Sequence, residues 1–398
     1  LVVSGPDRAA AFARIPSCDL VITSYALLQR DLEAAYLDKT FGVVVLDEAQ
    51  HIKNRQTRNA KAAKQLTSVQ KLVLTGTPVE NSVADVWSIF DFLLPGYLGQ
   101  YDAFRATTQE VIEAGGPEGR VEQEKLHRKL HPFILRRLKK TVAKDLPDKI
   151  VKVAYCPMTE EQQRWYNQLL ADARGRIGDM VKAKGFAKSR MEILALLMRL
   201  RQVASHLELL KEYREKQGAR RTGASTTDGG SALSGKLEVF LELLDEAIDG
   251  GHRVLVFSQF VSMLTILRRE LEARGIRYCY LDGETKDRLG ACRTFNTDAS
   301  IPLFLISLHA GGTGLNLTGA DMVVHFDPWW NPAVEAQATD RAHRIGQKKT
   351  VYVVKLIAQD SVEERVLALQ QKKQLVIDAT VGTTDEAAVQ KLTYDDIR

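Results

Sequence analysis

The chain has 398 residues, 45% of them hydrophobic and 26% charged, with a formal net charge of +5. This length predicts two or three domains with full cores, and the mildly basic balance permits a nucleic-acid partner without requiring one. Four well-separated cysteines without a Cys-x-x-Cys pair argue against a disulfide framework or a zinc knuckle and suit a reducing cytoplasm. No apolar run is long enough to predict a membrane span.

In the first quarter of the chain, short apolar runs alternate with helical stretches, which predicts βαβ units and a parallel sheet. The run over residues 41–46 is rich in β-branched residues, and we expect this strand to be buried on both faces. The predicted strands are residues 19–24, 41–46 and 71–75, and the predicted helices are residues 25–37 and about 56–66.

Two adjacent carboxylates, Asp47 and Glu48, directly follow the strand over residues 41–46. The carboxyl ends of parallel strands are where open α/β sheets bind ligands. Asp47 there can hold a magnesium ion that bridges nucleotide phosphates, and Glu48 can orient or deprotonate an attacking water. Thr75 and Thr77 place hydroxyls at the same edge. Taken alone, such a carboxylate pair more often marks a strand that ends in a solvated acidic turn.

The middle of the chain is predicted to be helical and irregular over residues 96–147. Its basic cluster is compatible with a solvated helix face and with a phosphate-contacting patch. The cluster comprises Arg136, Arg137, Lys139, Lys140 and Lys144.

A second α/β half begins with a strand over residues 149–155. Thr159 and Gln162 then form a capping box that opens a helical region, and residues 212–235 have the composition of a mobile loop or linker. Later strands are predicted at residues 253–257, 278–281, 302–306, 322–326 and 351–357.

A helix is predicted over residues 331–346. In such a helix Gln337, Arg341 and Arg344 stand at i, i+4 and i+7 and project from one face. Two arginines on one face suit the charge that develops on a transferring phosphoryl group. A surface helix in which Asp340 pairs with Arg344 is the alternative, and the pattern alone favours neither.

Three glycines, Gly311, Gly312 and Gly314, directly follow a predicted strand. Such glycines let backbone amides approach a phosphate closely, although their spacing is not that of a dinucleotide fingerprint. Trp329 and Trp330 are candidates either for core anchors at a domain interface or for wedges against DNA.

The order of these motifs resembles that of the superfamily-two helicase-like ATPases of the Swi/Snf type, in a bacterial form. The resemblance covers about residues 19–373, and HRIGQ together with DPWWNP is its most specific part. The matching segments are VITSYALL, VVLDEAQHIKN, LTGTPVENSVADVWSIFDFLLPGYLG, PFILRRLKKTVAKDLP, RVLVFSQF, SLHAGGTGLNL and DPWWNPAVEAQATDRAHRIGQ.

The resemblance implies an α/β fold of two RecA-like parallel-sheet lobes with helical insertions, the first lobe being incomplete. Residues 1–147 would form the C-terminal part of the first lobe, with an insertion at about 96–147. Residues 148–382 would form the second lobe, with an insertion at about 159–235, and residues 383–398 a polar tail.

The activity implied is that of an ATP-dependent translocase on double-stranded DNA that uses ATP and Mg²⁺ and does not separate the strands. It would track along DNA or remodel DNA-bound proteins such as transcription or repair complexes, in the bacterial cytoplasm at the nucleoid.

Residue roles follow the same resemblance. Asp47 would bind magnesium, Glu48 would activate water, and Arg341 and Arg344 would be arginine fingers with Gln337 alongside. The implied nucleotide-binding residues are Gln50, Thr75, Gly76, Thr77, Gly312 and Gly314. The implied nucleic-acid-binding residues are Thr23, Ser24, Arg136, Arg137, Ser258, Gln259, Thr313, Trp329 and Trp330.

The sequence departs from the family pattern in three places. Gln50 stands where many members have His, and Leu207 where they usually have Pro. No G-x-x-x-x-G-K-[ST] occurs, so we expect the phosphate-cradling loop upstream of Leu1 and expect this chain alone to hydrolyse ATP poorly or not at all. A catalytically silent DNA- or protein-binding remnant is the alternative. A strand-separating helicase or a nuclease is less well supported.

Overall fold

The computed structural model divides into two compact units, one formed mainly by residues 1–136 and the other by residues 137–372. Both units contain parallel strands with helices packed against them, which confirms the predicted α/β class. No helix among the described residues is both long and apolar enough to cross a bilayer. The described residues are 1–76, 83–135, 137, 139–184, 186–210, 233–310 and 314–381.

The first unit contains a two-stranded parallel sheet formed by β1, Thr40–Leu46, and β2, Thr67–Val73. The region predicted as a strand over residues 19–24 contributes only one isolated parallel bridge, between Val2 and Ile22. The helices around the sheet are Tyr25–Asp31, which continues as a π-helix over Leu32–Tyr36, then Arg58–Gln65 and Val83–Leu93, with a 3₁₀ helix at Arg8–Ser17.

The prediction that β1 is buried on both faces is wrong. Val43 and Val45 are 48% and 51% exposed, whereas Leu46 is buried. Leu46 belongs to a core cluster that also includes Phe92, and Val44, which is partly buried, packs against this cluster. A run of β-branched residues predicts a strand, but it does not determine how many layers of structure cover that strand.

A helical subregion completes the first unit. Its core includes Val86, Phe90, Phe104 and Leu130. Its helices after Val83–Leu93 are Tyr101–Phe104, Glu110–Ala114 and Gly116–Leu130, with a π-helix at Arg105–Gln109 and a 3₁₀ turn at His131–Phe133.

The second unit is built on a six-stranded parallel sheet in the order β3-β8-β7-β4-β6-β5. The central strands β4 and β6 are buried along their whole length, as continuous apolar runs in parallel sheets are. The strands are β3, Lys149–Cys156; β4, Val254–Ser258; β5, Tyr278–Leu281; β6, Leu303–Ser307; β7, Met322–His325; and β8, Val351–Ala358.

Helices of the second unit cover this sheet and form a two-helix insertion before β4. The insertion helices are Glu160–Lys184 and Phe186–Ser205. The others are Lys139–Val142, Gly235–Asp249, Val261–Ala273, Arg288–Thr297, Pro332–Thr339 and Val362–Val381. Most of the loop predicted at 212–235, and the tail predicted at 383–398, lie outside the described residues.

The predicted capping box at the start of the insertion is present. Thr159 Oγ1 accepts a hydrogen bond from the Gln162 amide at 3.2 Å, and Gln162 Oε1 accepts one from the Thr159 amide at 3.1 Å. Gln162 also binds the Gly235 amide and the Val203 carbonyl, at 2.9 and 2.8 Å. One side chain therefore joins both insertion helices to the helix that begins at Gly235.

His325, the last residue of β7, is buried. Its Nε2 lies 2.9 Å from Thr339 Oγ1, and its ring stacks on Phe257. Burial lowers the pKa of His325 to about 4. The charge of Glu335 opposes this shift, and the charge of Lys355 adds to it. The imidazole is therefore neutral in the folded chain at pH 7.

We expect His325 to make the second unit acid-sensitive. Because its folded pKa lies below its unfolded value of about 6.5, its contribution to stability is present above pH 6.5 and is lost as the pH falls towards 4. This single group should remove about 2 kcal/mol of unfolding free energy between pH 7.5 and pH 5. Urea denaturation at both pH values checks this. His325→Gln should reduce the pH-dependent loss by that amount, and an unchanged loss would contradict the assignment.

Candidate functional site

The chain turns sharply where β1 ends. Glu48 adopts the left-handed conformation, with φ 49° and ψ 52°, which costs a residue with a β-carbon about 1–2 kcal/mol. The turn is fixed against the end of β2, because the Leu74 amide donates to the Leu46 carbonyl at 2.8 Å and the Ala49 amide donates to the Leu74 carbonyl at 3.1 Å. Strain of this kind is concentrated at functional sites.

A hydrogen-bonded chain joins three of the predicted site residues. Gln50 Nε2 donates to Glu48 Oε2 at 2.8 Å, and Thr75 Oγ1 donates to Gln50 Oε1 at 3.2 Å. The Gln50 amide thus links the carboxylate at the end of β1 to the hydroxyl just beyond the end of β2. We call Glu48, Gln50 and Thr75 the acidic-edge network.

Asp47 lies beside this network with its side chain exposed. Its Oδ1 accepts from the Glu48 amide at 2.9 Å, and its backbone carbonyl accepts from Tyr25 Oη at 2.8 Å. Burial raises the pKa of Tyr25, and the negative charges of Asp47 and Glu48 raise it further, so the phenol stays protonated as a donor. Sequence reasoning missed Tyr25, although it directly follows Ser24 in the VITSYALL segment.

The oxygen donors at this edge fit a magnesium ion that carries water and phosphate ligands. Magnesium is usually held in proteins by one or two carboxylates together with substrate phosphates. Within the described ranges, no group of three or more His, Cys, Asp or Glu side chains could form a complete protein cage. The exposed carboxylate of Asp47 could serve as one such protein ligand.

The hydroxyls of Thr23 and Ser24 already have structural partners. Ser24 caps the helix Tyr25–Asp31 by accepting from the Leu27 amide at 3.3 Å, and Thr23 Oγ1 donates to the Val3 carbonyl at 3.4 Å. Gly76 is exposed. Four other predicted site residues lie outside the described residues: Thr77, Arg136, Gly312 and Thr313.

In the second unit, the buried carboxylate of Asp327 organises the carboxyl ends of β4 and β7. Ser258 Oγ donates to its Oδ1 at 2.5 Å, and the Gln259 amide donates to its Oδ2 at 3.1 Å. Burial raises the pKa of Asp327, whereas the Ser258 hydrogen bond and the charge of Arg201 oppose the shift. The structure thus brings together two predicted site residues, Ser258 at the end of β4 and Gln259 directly after it, both held by Asp327.

The prediction of a helix over residues 331–346 is wrong beyond Thr339. The helix covers Pro332–Thr339, with Asp340 as its C-cap. Three carbonyls beyond that end are used elsewhere. The Arg341 carbonyl accepts from the Leu317 amide, the Ala342 carbonyl from Gln347 Nε2, and the His343 carbonyl from Lys139 Nζ. Gln337, Arg341 and Arg344 therefore do not share one helical face.

Residues 340–347 form what we call the arginine turn, in which the two arginines differ in exposure. Arg341 is 7% exposed, whereas Arg344 is exposed and its Nη1 donates to the carbonyl of Leu315 at 3.1 Å and to that of Gly314 at 3.4 Å. The predicted residues Arg344 and Gly314 are therefore neighbours. Asp340 pairs with Lys139 at 2.6 Å, so the alternative Asp340–Arg344 helix pair is not what the structure contains.

The basic segment before β3 is tied to the arginine turn. Lys139 Nζ contacts the Asp340 carboxylate and donates to the His343 carbonyl at 3.2 Å, and His343 Nε2 lies 2.7 Å from the Pro147 carbonyl. Arg137 and Lys144 are exposed. Part of the predicted basic cluster therefore has a structural role inside the second unit.

The two adjacent tryptophans are half-buried in different surroundings. The Trp329 amide donates to Glu335 Oε1 at 2.6 Å, and its ring meets His309 edge-on. The Trp330 ring centroid lies 5.2 Å from the Arg201 guanidinium carbon. Both rings therefore contact side chains of the second unit, and these contacts do not decide between the two predicted roles.

Comparison with known proteins identifies the family. Residues 7–209 match the SNF2-related domain, and residues 235–346 match the helicase conserved C-terminal domain. The chain belongs to the SNF2-related family, as its motifs predict.

Several characterised and uncharacterised proteins are similar over nearly the whole chain. It is 36% identical to an uncharacterized ATP-dependent helicase of Mycoplasma genitalium, over 91% of this chain and 33% of that protein. It is also 36% identical to the putative ATP-dependent helicase/translocase YwqA of Bacillus subtilis, over 95% of this chain and 39% of that protein. Among solved structures, the Sulfolobus solfataricus SWI2/SNF2 ATPase core in complex with dsDNA is 34% identical with a TM-score of 0.47, covering 96% of this chain and 77% of that one. The chain spans 33–39% of the length of these two curated relatives.

The left-handed conformation of Glu48 allows us to predict the relative unfolding free energies of two variants. Glu48→Gly and Glu48→Ala both remove the carboxylate, but only glycine adopts φ 49° without strain. We expect Glu48→Gly to be the more stable of the two by about 0.5–1 kcal/mol, as measured by urea denaturation. At Gly42, where φ is ordinary and an added β-carbon meets nothing, glycine should have no such advantage over alanine. A more stable Glu48→Ala would contradict the assignment.

The ion pair between Lys139 and Asp340 leads to a second prediction about stability. Lys139→Ala should lower the unfolding free energy by about 0.5–1 kcal/mol, a modest value because both side chains are partly exposed. Combined with Asp340→Ala in a double-mutant cycle, it should show a coupling energy of about 0.5 kcal/mol. The exposed Lys144→Ala is the control and should show no coupling with Asp340→Ala. Strictly additive effects of Lys139→Ala and Asp340→Ala would show that this ion pair does not contribute to stability.

Proposed function

We propose that this chain forms part of an ATP-dependent motor that acts on double-stranded DNA. It would couple ATP hydrolysis to movement along the duplex or to remodelling of DNA-bound proteins, at the bacterial nucleoid. The observation that carries the proposal is the acidic-edge network beside Asp47, at the carboxyl end of parallel strands in a member of the SNF2-related family.

The first unit would contribute the groups that act on water and metal. Magnesium, when bound with ATP, neutralises charge on the phosphates. Asp47 would hold it, because its carboxylate is exposed at the strand end. Glu48 would orient the attacking water and accept its proton, and the Gln50 amide at 2.8 Å would keep the Glu48 carboxylate in one orientation. Thr75 would keep Gln50 in place in turn.

The second unit would contribute permanent positive charge. Arg341 and Arg344 present planar guanidinium groups that bind phosphate oxygens bidentately. Arg344 would exchange its bonds to the Gly314 and Leu315 carbonyls for charged phosphate oxygens, which are stronger acceptors. Gln337 would assist from the preceding helix.

Duplex DNA would be contacted along the phosphate backbone. The chain carries a net charge of +5, and Arg137 is exposed. Ser258, Gln259, Trp329 and Trp330 line the carboxyl edge of the second sheet, where backbone contacts would position the DNA without reading its sequence. The name of the Bacillus subtilis relative, helicase/translocase, is compatible with this partner.

A second candidate function is a catalytically silent module that binds DNA or protein. The observation that favours it is the lack of any G-x-x-x-x-G-K-[ST] in the 398 residues, so no lysine of a phosphate-binding loop can be assigned. We propose that the chain by itself turns over ATP poorly for this reason, although it retains the acidic edge and the arginine turn.

ATP turnover with and without duplex DNA tests the proposal. It is measured on a polypeptide that contains this chain and has the length of the relatives, which we call the long polypeptide. We expect duplex to stimulate turnover, and Glu48→Gln and Arg344→Ala each to reduce it at least about 100-fold, because each removes a group that acts at the transition state. Glu33→Gln, an exposed carboxylate on the same unit, should retain wild-type turnover.

Two results would count against the motor. Turnover that survives Glu48→Gln would show that the acidic edge is not the catalytic site. Duplex binding without turnover in the long polypeptide would favour the silent binding module.

A further inference from the structure

Arg201 is a fully buried arginine that the proposed chemistry does not use. It lies in the insertion helix Phe186–Ser205 and has 0% exposure. Its Nη1 donates to Gln259 Oε1 at 3.0 Å, and its Nη2 donates to the Pro328 carbonyl. One guanidinium therefore joins the insertion to the residues that follow β4 and β7.

The same guanidinium lies against an aromatic side chain of that edge. Its central carbon is 5.2 Å from the ring centroid of Trp330, a distance at which a cation and an indole face attract one another. The planar fork therefore contacts a side-chain amide, a backbone carbonyl and an indole ring together. A lysine ammonium has no such plane and cannot reproduce this set.

Burying a permanent charge is costly, and the buried carboxylate of Asp327 only partly offsets that cost. Burial lowers the pKa of Arg201, while the charges of Asp327, Glu363 and Glu335 raise it. A buried charge is weak evidence for stability, but it restricts the geometry of the groups around it. At this position those groups are Gln259 and Trp330, both assigned above to the DNA-facing edge.

We infer that Arg201 is a positioning residue that fixes Gln259 and Trp330 for contact with a nucleic-acid backbone. Through it, the two-helix insertion determines the shape of the carboxyl edge of the second sheet. The inference rests on the proposed function, since it assigns Arg201 a role in the DNA contact of that same motor.

The side chain of Gln259 shows what this positioning does. Its carbonyl oxygen faces Arg201, and its backbone amide is held by Asp327. Its Nε2 is enclosed and, among the described residues, has no hydrogen-bond partner. Buried donors without partners are rare in folded proteins. By binding the carbonyl oxygen of this side-chain amide, Arg201 fixes which end of Gln259 is the donor.

The test compares Arg201→Lys with the wild-type long polypeptide. Tryptophan emission and acrylamide quenching report on Trp330, and Trp330→Phe identifies the part of the signal that comes from this residue. Fluorescence anisotropy with a labelled duplex gives the dissociation constant. We expect Arg201→Lys to shift the Trp330 emission to longer wavelength, increase its quenching and raise the dissociation constant at least fivefold. Arg164→Lys, exposed on the same insertion, should stay within twofold of wild type.

The outcomes separate this inference from the proposed function. A folded Arg201→Lys with wild-type emission, quenching and duplex affinity overturns the positioning role. If the wild type binds no duplex, the motor proposal fails, and the Trp330 signal alone decides whether Arg201 positions the edge. If Arg201→Lys does not fold, Gln259→Ala removes one acceptor of the same guanidinium, and an unchanged duplex affinity in that variant overturns the inference.

Discussion

The buried carboxylate of Asp327 is the constraint on which the carboxyl edge of the second sheet depends. It accepts hydrogen bonds from the Ser258 hydroxyl and the Gln259 amide, and so it joins the ends of two adjacent strands, β4 and β7. Close by, Lys236 and Glu363 form a buried ion pair at 2.5 Å. Buried charges are retained only where their partners are well placed. The side chains of the second unit therefore hold this edge in one arrangement, which the proposed phosphate contacts would require.

Hydrogen bonds from side chains to the backbone build the two regions that carry the proposed chemistry. At the acidic edge, Tyr25 binds the backbone carbonyl of Asp47. In the arginine turn, Gln347 and Lys139 take the carbonyls that a longer helix would have used for its own ladder. Bonds of this kind compete directly with helix continuation, which explains why the turn leaves the helical path just before Arg341. The proposed arginine fingers thus lie on a turn with its own fixed geometry.

Much of this architecture could be predicted from the sequence, because local patterns determine local structure. Alternating apolar runs predicted the parallel strands, and Thr159 with Gln162 predicted the capping box. The motif order also predicted the family. Three features depend on distant residues and could not be predicted in this way. The exposure of Val43 depends on which layers cover β1. The end of the helix at Thr339 depends on distant side chains such as Lys139. The burial of Arg201 depends on contacts such as that with Gln259, which lies 58 residues further along the chain.

The magnesium dependence of nucleotide binding decides whether the strand end at Asp47 is a metal site. The affinity of a slowly hydrolysed ATP analogue would be compared with and without Mg²⁺, by calorimetry on the long polypeptide. We expect magnesium to tighten binding in the wild type and in Glu48→Gln. Asp47→Asn should abolish this effect, because Asp47 would be the carboxylate that holds the metal. An Asp47→Asn variant with the full magnesium dependence of the wild type would contradict the assignment of this strand end as the metal and phosphate site.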